Sequence, residues 1–182
     1  MKLIVRISTA LLLLAFIACQ PATKKEAMNK NTTPVVQTRN PYYSRTDTTH
    51  LDVPDSIWRG ILPDSVYRVG RNKATERAFT GKYYKFNSLG TYYCAVCGNR
   101  LFRSDAKFAS ECGWPSFYEP SRKNSVIYQT DTSHGLNRTE VLCGRCGSHL
   151  GHVFDDGPPP TGKRYCMNSI ILDFVPELTG AR

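Results

Sequence analysis

Apolar and polar positions alternate in short runs from residue 91 onward, and turn-forming residues separate these runs. Four runs are rich in aromatic and β-branched side chains, at residues 91–94, 125–130, 138–142 and 164–174. Period-two alternation of such side chains predicts short strands. No long helical periodicity follows Gly81. The pattern therefore predicts a mostly β fold with a minor helix near the N-terminal side of the domain.

The stretch before Gly81 contains the helical signals. Pro63 and Asp64 are typical of a helix start, and Gly70 is a natural stop after one or two turns. Residues 51–62 are ambiguous, because they fit either a short helix or an extended arm packed on the domain. We therefore predict one helix over residues 64–69 and leave the preceding segment open.

The first eighteen residues resemble a secretory signal. Lys2 and Arg6 precede an apolar run over residues 11–18, which is too short to span a bilayer as a helix. The sequence FIAC, ending at Cys19, resembles the lipobox of bacterial lipoproteins, in which cleavage precedes an acylated cysteine. We expect residues 1–18 to be removed and Cys19 to anchor an exported lipoprotein to a membrane of the cell envelope or periplasm. A secreted protein with a free cysteine is the alternative.

Residues 19–50 predict a flexible tether, since they are rich in Lys, Asn, Thr and Gln with little apolar periodicity. The folded domain is expected over residues 51–182, which is long enough to bury a core. The chain carries a formal charge of +9, and removal of Lys2 and Arg6 would leave +7 (9 minus 2). Basic residues are scattered without a stripe, so we expect a solvated surface and no nucleic-acid partner.

Four of the seven cysteines form two matching CxxCG units, Cys94 with Cys97 and Cys143 with Cys146. Two intervening residues allow a tight turn to aim both sulfurs at one ion, and the glycine that follows permits the chain to leave the turn. We predict a structural zinc ion with all four ligands from the protein. Redox-active pairs, or disulfides between the two units, are the alternatives in an exported protein.

Cys112 and Cys166 remain outside this set. Cys166 lies in a predicted strand, and the period of two places Arg164 and Asn168 on its face. A guanidinium beside a thiol favours the reactive thiolate. A buried structural cysteine is the alternative for an isolated cysteine in a strand.

Aromatic and imidazole side chains surround these cysteines in sequence. Cys112 precedes Gly, Trp114 and Pro, which indicates a rigid loop whose indole can contact a small apolar group, whereas Phe117 is expected in the core. His149 and His152 are candidates for acid–base chemistry, because imidazole titrates near neutral pH. A purely structural role is the alternative for one of these two histidines.

Taken together, these motifs resemble the methionine-R-sulfoxide reductase family, the B class. The resemblance extends from about residue 64 to residue 174, and the motifs occur in family order. They are YRV at 67–69, TERAF at 75–79, YCAVCG at 93–98, LF at 101–102, KF at 107–108, CGWPSF at 112–117, RTEV at 138–141, HLGHVF at 149–154, DGP at 156–158 and RYCMN at 164–168.

The resemblance implies an enzyme that reduces methionine-R-sulfoxide, free or in proteins. Cys166 would attack the sulfoxide sulfur and become a sulfenic acid, and Cys112 would resolve it as a disulfide that a thioredoxin-like donor reduces. The implied fold has two antiparallel sheets with zinc at one end, and we expect a monomer. The remaining implied site residues are Trp114 and Phe154 for substrate contact, with His149, His152, Asn168 and Arg164 as the polar and charged groups.

Glu111 departs from the family, which has glycine at this position. A positive φ there would strain glutamate by about 1–3 kcal/mol. Its carboxylate is also expected to raise the pKa of Cys112 and to slow the resolving step. Two rival functions remain, a non-catalytic zinc-containing β binding module and a general disulfide oxidoreductase that uses one CxxC pair.

The lipoprotein prediction can be tested by feeding an alkyne-tagged fatty acid to bacteria that express the full chain. We expect the wild type and a Cys112→Ser control to carry the label and to fractionate with membranes, because neither changes the lipobox. Cys19→Ser should lose both properties. An unlabelled wild type would contradict the lipoprotein prediction and support a secreted protein with a free Cys19.

Overall fold

Two short helices lie near the N-terminal end of the described part of the chain, which comprises residues 40–177 of this computed structural model. Helix α1 spans Asp55–Ile61 and helix α2 spans Asp64–Gly70, each directly after a proline. Proline fits there because the first N–H groups of a helix have no intrahelical partner. The helix predicted after Pro63 is confirmed, and the ambiguous segment contains α1. The predicted signal and Cys19 lie outside the described residues.

The two antiparallel sheets of the fold hold nine strands within residues 40–177. A three-stranded sheet has the order β2-β1-β9, and a six-stranded sheet has the order β3-β4-β8-β7-β6-β5. The predicted class, mostly β with two antiparallel sheets, is confirmed. The strands are β1 Gly90–Cys94, β2 Arg100–Arg103, β3 Lys107–Phe108, β4 Ser116–Phe117, β5 Val126–Asp131, β6 Arg138–Cys143, β7 His149–Phe154, β8 Arg164–Met167 and β9 Leu172–Pro176.

Three of the four predicted strand runs coincide with β1, β5 and β6 to within one residue at each end. Four strands escaped prediction. β3 and β4 have two residues each, which is too short to show alternation. β7 contains two histidines and Gly151, residues that carry no strand signal by themselves.

The single strand predicted over residues 164–174 is wrong. The chain leaves the six-stranded sheet after Met167, makes a short 3₁₀ turn, and enters the three-stranded sheet at Leu172. The carboxylate of Glu76 causes this break, because it accepts the backbone N–H of Ser169 at 2.6 Å and of Ile170 at 3.0 Å. These two amides are therefore taken out of a strand ladder.

Aromatic side chains fill the core. The rings of Phe102 and Phe117 stack with centroids 4.4 Å apart, and Tyr92 meets Phe117 edge-on at 5.0 Å. All three residues are fully buried, as is Trp58 from α1. The core position expected for Phe117 is confirmed.

Residues 40–50, which we call the N-terminal strap, fall within the range predicted as tether. In the structure they lie on the domain. The ring of Tyr42 meets Trp58 edge-on at 5.2 Å, and the N–H of Leu51, just after the strap, donates to the carbonyl of Arg145 at 2.8 Å. Within residues 40–177, the helices are too short to cross a membrane.

Truncation of the central aromatic contact tests this packing. Phe117→Ala removes a fully buried ring and should lower the free energy of unfolding by about 3–5 kcal/mol. The matched control is Ile127→Ala, whose side chain is 46% exposed, and it should change stability by no more than about 0.5 kcal/mol. Urea unfolding followed by circular dichroism measures both. Equal midpoints for the two variants would contradict the core assignment.

Candidate active site and metal centre

Cys94, Cys97, Cys143 and Cys146 converge into one buried cluster, with all four sulfurs within 4.8 Å of one another. The Sγ atoms of Cys94 and Cys146 lie 3.8 Å apart, and those of Cys97 and Cys143 lie 3.6 Å apart. A tetrahedral zinc ion about 2.3 Å from each sulfur requires sulfur–sulfur edges of about 3.8 Å. Disulfide bonding requires about 2.05 Å. The cluster therefore fits a metal ion, and its cysteines are free thiols.

The two CxxCG turns are built alike. The N–H of Gly98 donates to the carbonyl of Cys94 at 2.8 Å, and the N–H of Gly147 donates to that of Cys143 at 2.9 Å. Both glycines have positive φ, +78° and +66°, as predicted from the need to leave the turn. Because Cys94 ends β1 and Cys143 ends β6, the cluster joins the two sheets.

Cys112 and Cys166 lie together at a second place, with Sγ atoms 3.4 Å apart. Cys166 on β8 has Ser116 of β4 as its cross-strand neighbour on one side and His152 of β7 on the other. The Ser116 hydroxyl also lies 3.3 Å from the Cys112 sulfur. The strand register thus brings a dithiol, a hydroxyl and an imidazole to one face of the six-stranded sheet.

A cavity of about 110 Å³ lies beside Cys166. This volume is small for a ligand site, so the cavity suits the end of a side chain rather than a nucleotide or flavin. Cys112 does not contribute to its wall. The lining residues are Thr75, Trp114, Arg138, Gly151, His152, Phe154, Cys166 and Asn168. A larger cavity, of about 550 Å³ beside Lys82 and Asp173, is lined by neither cysteine of the dithiol.

The backbone of Glu76 holds two walls of the 110 Å³ cavity. The indole N–H of Trp114 donates to the backbone carbonyl of Glu76 at 3.2 Å. The backbone N–H of Glu76 donates to Oδ1 of Asn168 at 2.9 Å. Nδ2 of Asn168 donates to the carbonyl of Leu150 at 3.0 Å, which leaves one amide hydrogen for another acceptor. Thr75 and Glu76 were not predicted as site residues, although both lie in the TERAF motif at residues 75–79.

His152 stands on the cavity wall and is held by a carboxylate. Its Nε2 lies 2.7 Å from Oδ2 of Asp131, which also accepts from Arg138 at 2.7 Å. Hydrogen bonds from Ser133, and then from His152, hold the pKa of Asp131 well below its usual range. An ionised carboxylate only accepts, so Nε2 of His152 donates and Nδ1 is left for other contacts.

His149 is buried and does not line the cavity. Its Nδ1 lies 2.6 Å from Oε1 of Glu140, whose second oxygen accepts from Lys73 at 2.8 Å. Burial lowers the pKa of His149, so its ring is neutral at neutral pH. The structure thus separates the two histidines into a cavity residue and a residue behind the cavity. Sequence reasoning missed the carboxylates that hold them, Asp131 and Glu140.

Arg164 lies on the same face as Cys166, as predicted, but has partners of its own. Its guanidinium donates twice to the carboxylate of Asp156, at 2.8 and 2.7 Å, and its Cζ lies 4.5 Å from the ring centre of Phe154. The guanidinium of Arg164, held by Asp156, therefore fixes Phe154 in the cavity wall and keeps a positive charge near the dithiol.

Comparison with known proteins accounts for this combination of a four-cysteine cluster and a dithiol. Residues 62–176 match the SelR domain family. This chain belongs to that family. The resemblance to the B-class methionine-R-sulfoxide reductases is thereby confirmed.

Relatives of this SelR-family chain share more than half of their aligned residues with it. The peptide methionine sulfoxide reductase MsrB of Thiobacillus denitrificans is 57% identical over 123 residues, which cover 68% of this chain and 93% of that protein. The protein of the same name from Leptospira interrogans is 55% identical over 123 residues, which cover 68% and 94%. That from Cellvibrio japonicus is 57% identical over 121 residues, which cover 65% and 86%.

In this SelR-family chain the two thiols of the dithiol share one proton. The hydrogen bond from Cys166, helped by the hydroxyls of Ser110 and Ser116, lowers the pKa of Cys112 to about 4. The same contact, together with burial, raises the pKa of Cys166, while the charge of Arg164 acts in the opposite direction. The contact between the two sulfurs therefore favours a negative charge on Cys112 and the shared proton on Cys166.

Neither the backbone strain nor the raised pKa of Cys112 considered for Glu111 is found. Glu111 does not have a positive φ, so the departure from glycine causes no strain of that kind. The pKa of Cys112 is lowered rather than raised, because hydrogen bonds to its sulfur outweigh the burial that opposes them.

The shared proton predicts opposite shifts in two variants. Cys166→Ala removes the main hydrogen bond to Cys112 and should raise the pKa of Cys112 by about one unit or more. Cys112→Ala removes the neighbouring negative charge and should lower the pKa of Cys166. The pH dependence of iodoacetamide alkylation, followed for each cysteine by peptide mapping, measures both pKa values. An unchanged alkylation profile of Cys112 in Cys166→Ala would contradict the shared proton.

Proposed function

We propose that this chain reduces methionine-R-sulfoxide, free or in proteins, to methionine. The observation that carries the proposal is the pair of free thiols 3.4 Å apart, of which Cys166 lines a side-chain-sized cavity and Cys112 does not. Relatives 55–57% identical to this chain bear the name peptide methionine sulfoxide reductase MsrB. The cavity position supports Cys166 as the nucleophile and Cys112 as the resolving thiol.

In the first step the sulfur of Cys166 attacks the sulfoxide sulfur. Cys166 starts protonated. Cys112, whose sulfur lies 3.4 Å away, acts as the base that accepts this proton while the bond between Cys166 and the substrate sulfur forms. The sulfur–oxygen bond of the substrate breaks, and the oxygen ends on Cys166 as a sulfenic acid with the shared proton. A thiol and a sulfoxide thus become a sulfenic acid and a thioether.

The cavity wall supplies the contacts for this step. Trp114 and Phe154 offer apolar faces to the methyl group on sulfur. The remaining amide hydrogen of Asn168 and Nδ1 of His152 are the polar atoms available to bind the sulfoxide oxygen. Behind the wall, the ring of His149 lies 5.5 Å from the ring of His152 and so supports the position of His152.

In the second step the Cys112 thiolate attacks the sulfur of the Cys166 sulfenic acid. A disulfide forms, and hydroxide leaves and takes up a proton to become water. Two electrons from a thioredoxin-like dithiol then restore both thiols. The proximity of the two sulfurs in the reduced chain supports a resolving step without a long rearrangement.

We propose further that the four-cysteine cluster binds zinc as a structural ion. Four protein ligands leave no open coordination position, so the ion would stabilise the junction of the two sheets rather than enter the reaction. The chain is proposed to act as a monomeric, exported lipoprotein, held at a membrane through acylated Cys19. The signal-like residues 1–18 and the lipobox support that location.

Single-turnover and steady-state assays on the purified full chain test the reductase proposal. We expect the wild type to reduce the R epimer and not the S epimer. Cys166→Ser should fall to background with any reductant, because the nucleophile is lost. Cys112→Ser should still release about one methionine per chain in a single turnover, at a lower rate because the base for Cys166 is lost. It should lose turnover with thioredoxin, because the sulfenic acid cannot be resolved.

Cys19→Ser serves as the matched cysteine control and should keep full turnover in detergent. Zinc content is measured on each preparation. A wild type that holds one zinc ion per chain and reduces neither epimer would support the binding module instead. Retained activity in Cys166→Ser would point to a CxxC pair as the redox centre.

A further inference from the structure

The N-terminal strap covers the four-cysteine cluster from outside the family segment. It spans residues 40–50, whereas the family match covers residues 62–176. The N–H of Ser44 donates to the carbonyl of Cys97 at 3.0 Å, and Nδ2 of Asn40 donates to the carbonyl of Val96 at 2.7 Å. Both bonds go to the first CxxCG turn, so the strap is seated on the backbone that presents two of the four sulfurs.

Arg145, in the second CxxCG turn, ties the strap to both turns. Its guanidinium is only 2% exposed and donates to the carbonyl of Tyr42 at 2.9 Å, the carbonyl of Thr49 at 3.2 Å and the carboxylate of Asp47 at 2.5 Å. It also donates to the carbonyl of Cys97 at 2.5 Å. Three of these four acceptors belong to the strap.

A buried guanidinium is costly unless it is paired and fully hydrogen-bonded. Release of the strap would leave Arg145 with the Cys97 carbonyl alone among the four acceptors. A divalent ion with four thiolates carries a net charge of −2, so a cation held beside the cluster also favours the loaded state. The strap therefore stabilises the position of Arg145 in which its positive charge favours the metal-loaded cluster.

The strap is fastened at a second point and fits closely where it crosses the first turn. Arg45 and Tyr43 both bind the carboxylate of Asp173 on β9, the former at 2.8 Å. A Cβ atom at Gly98 would lie 2.6 Å from the carbonyl oxygen of Ser44. Glycine at position 98 therefore permits both the positive φ of the turn and the close approach of the strap.

We infer that the N-terminal strap is a clamp on the metal cluster, which slows loss of the ion and shields the four sulfurs from solutes. The inference rests on the proposed zinc ion. Such a clamp suits a protein exported to an oxidising compartment, where exposed thiolates are oxidised. It also shortens the free part of the predicted tether, because residues 40–50 are committed to the cluster.

Asp47→Asn tests the clamp, because it removes the charge that pairs with Arg145 while keeping the size of the side chain. Asp105→Asn is the matched control, since Asp105 pairs with Arg103 on the three-stranded sheet away from the strap. Zinc release from the purified full chain to an excess of a chromophoric chelator is followed over time. We expect Asp47→Asn to release zinc about tenfold faster than wild type, as for loss of one charged hydrogen bond, and the control to match wild type.

A second variant guards against a local folding defect at Arg145. Arg45→Ala loosens the strap at Asp173 and leaves every bond of Arg145 in place, so it should also speed zinc release, by a smaller factor. Circular dichroism confirms the fold of each variant. Release rates equal to wild type in both Asp47→Asn and Arg45→Ala would overturn the clamp.

Alkylation gives a readout that does not depend on zinc. Iodoacetamide labelling of Cys97 and Cys143, resolved by peptide mapping, should be faster in Asp47→Asn than in Asp105→Asn. Should the wild type contain no zinc, the proposed ion fails, and the labelling rates still decide the clamp. Equal labelling in the two variants would then overturn it.

Discussion

The convergence of four cysteine sulfurs is the constraint on which the rest of this structure depends. Cys94 and Cys143 end strands of different sheets, so drawing their sulfurs to one point fixes the sheets against each other. Residues 99–142 lie between the two CxxCG turns, and this closed loop carries Cys112.

Glu76 performs a comparable task at the other end of the site. Its carboxylate takes two amides out of the strand that begins at Arg164, and its backbone holds Trp114 and Asn168. The same residue thus ends β8 just after Cys166 and builds the cavity beside that cysteine. The contacts of Glu76 therefore set both the end of β8 beside Cys166 and the crossing between the two sheets.

Burial and hydrogen bonding give the dithiol its chemical asymmetry. Cys112 is surrounded by hydroxyl groups and by a thiol, all of which stabilise a negative charge. Cys166 faces the cavity and keeps the proton. The two sulfurs therefore differ in their affinity for a proton, and two histidine–carboxylate pairs lie on and behind the cavity wall. The charge of Arg164 stays near because Asp156 fixes its guanidinium.

The sequence by itself determined the features that depend on local spacing. These are the two CxxCG turns with their positive-φ glycines, the short helix after Pro63, the strands with clear alternation and the family of the chain. Only the tertiary structure decided which carboxylates hold the histidines, where the long strand breaks, and that residues 40–50 lie on the cluster. Asp131, Glu76 and Asp47 act through partners 21, 93 and 98 positions away, and no local pattern records such contacts. Composition alone predicts a tether over residues 40–50. Their polar groups bind backbone carbonyls and the Arg145 guanidinium, which only the folded domain brings close to them.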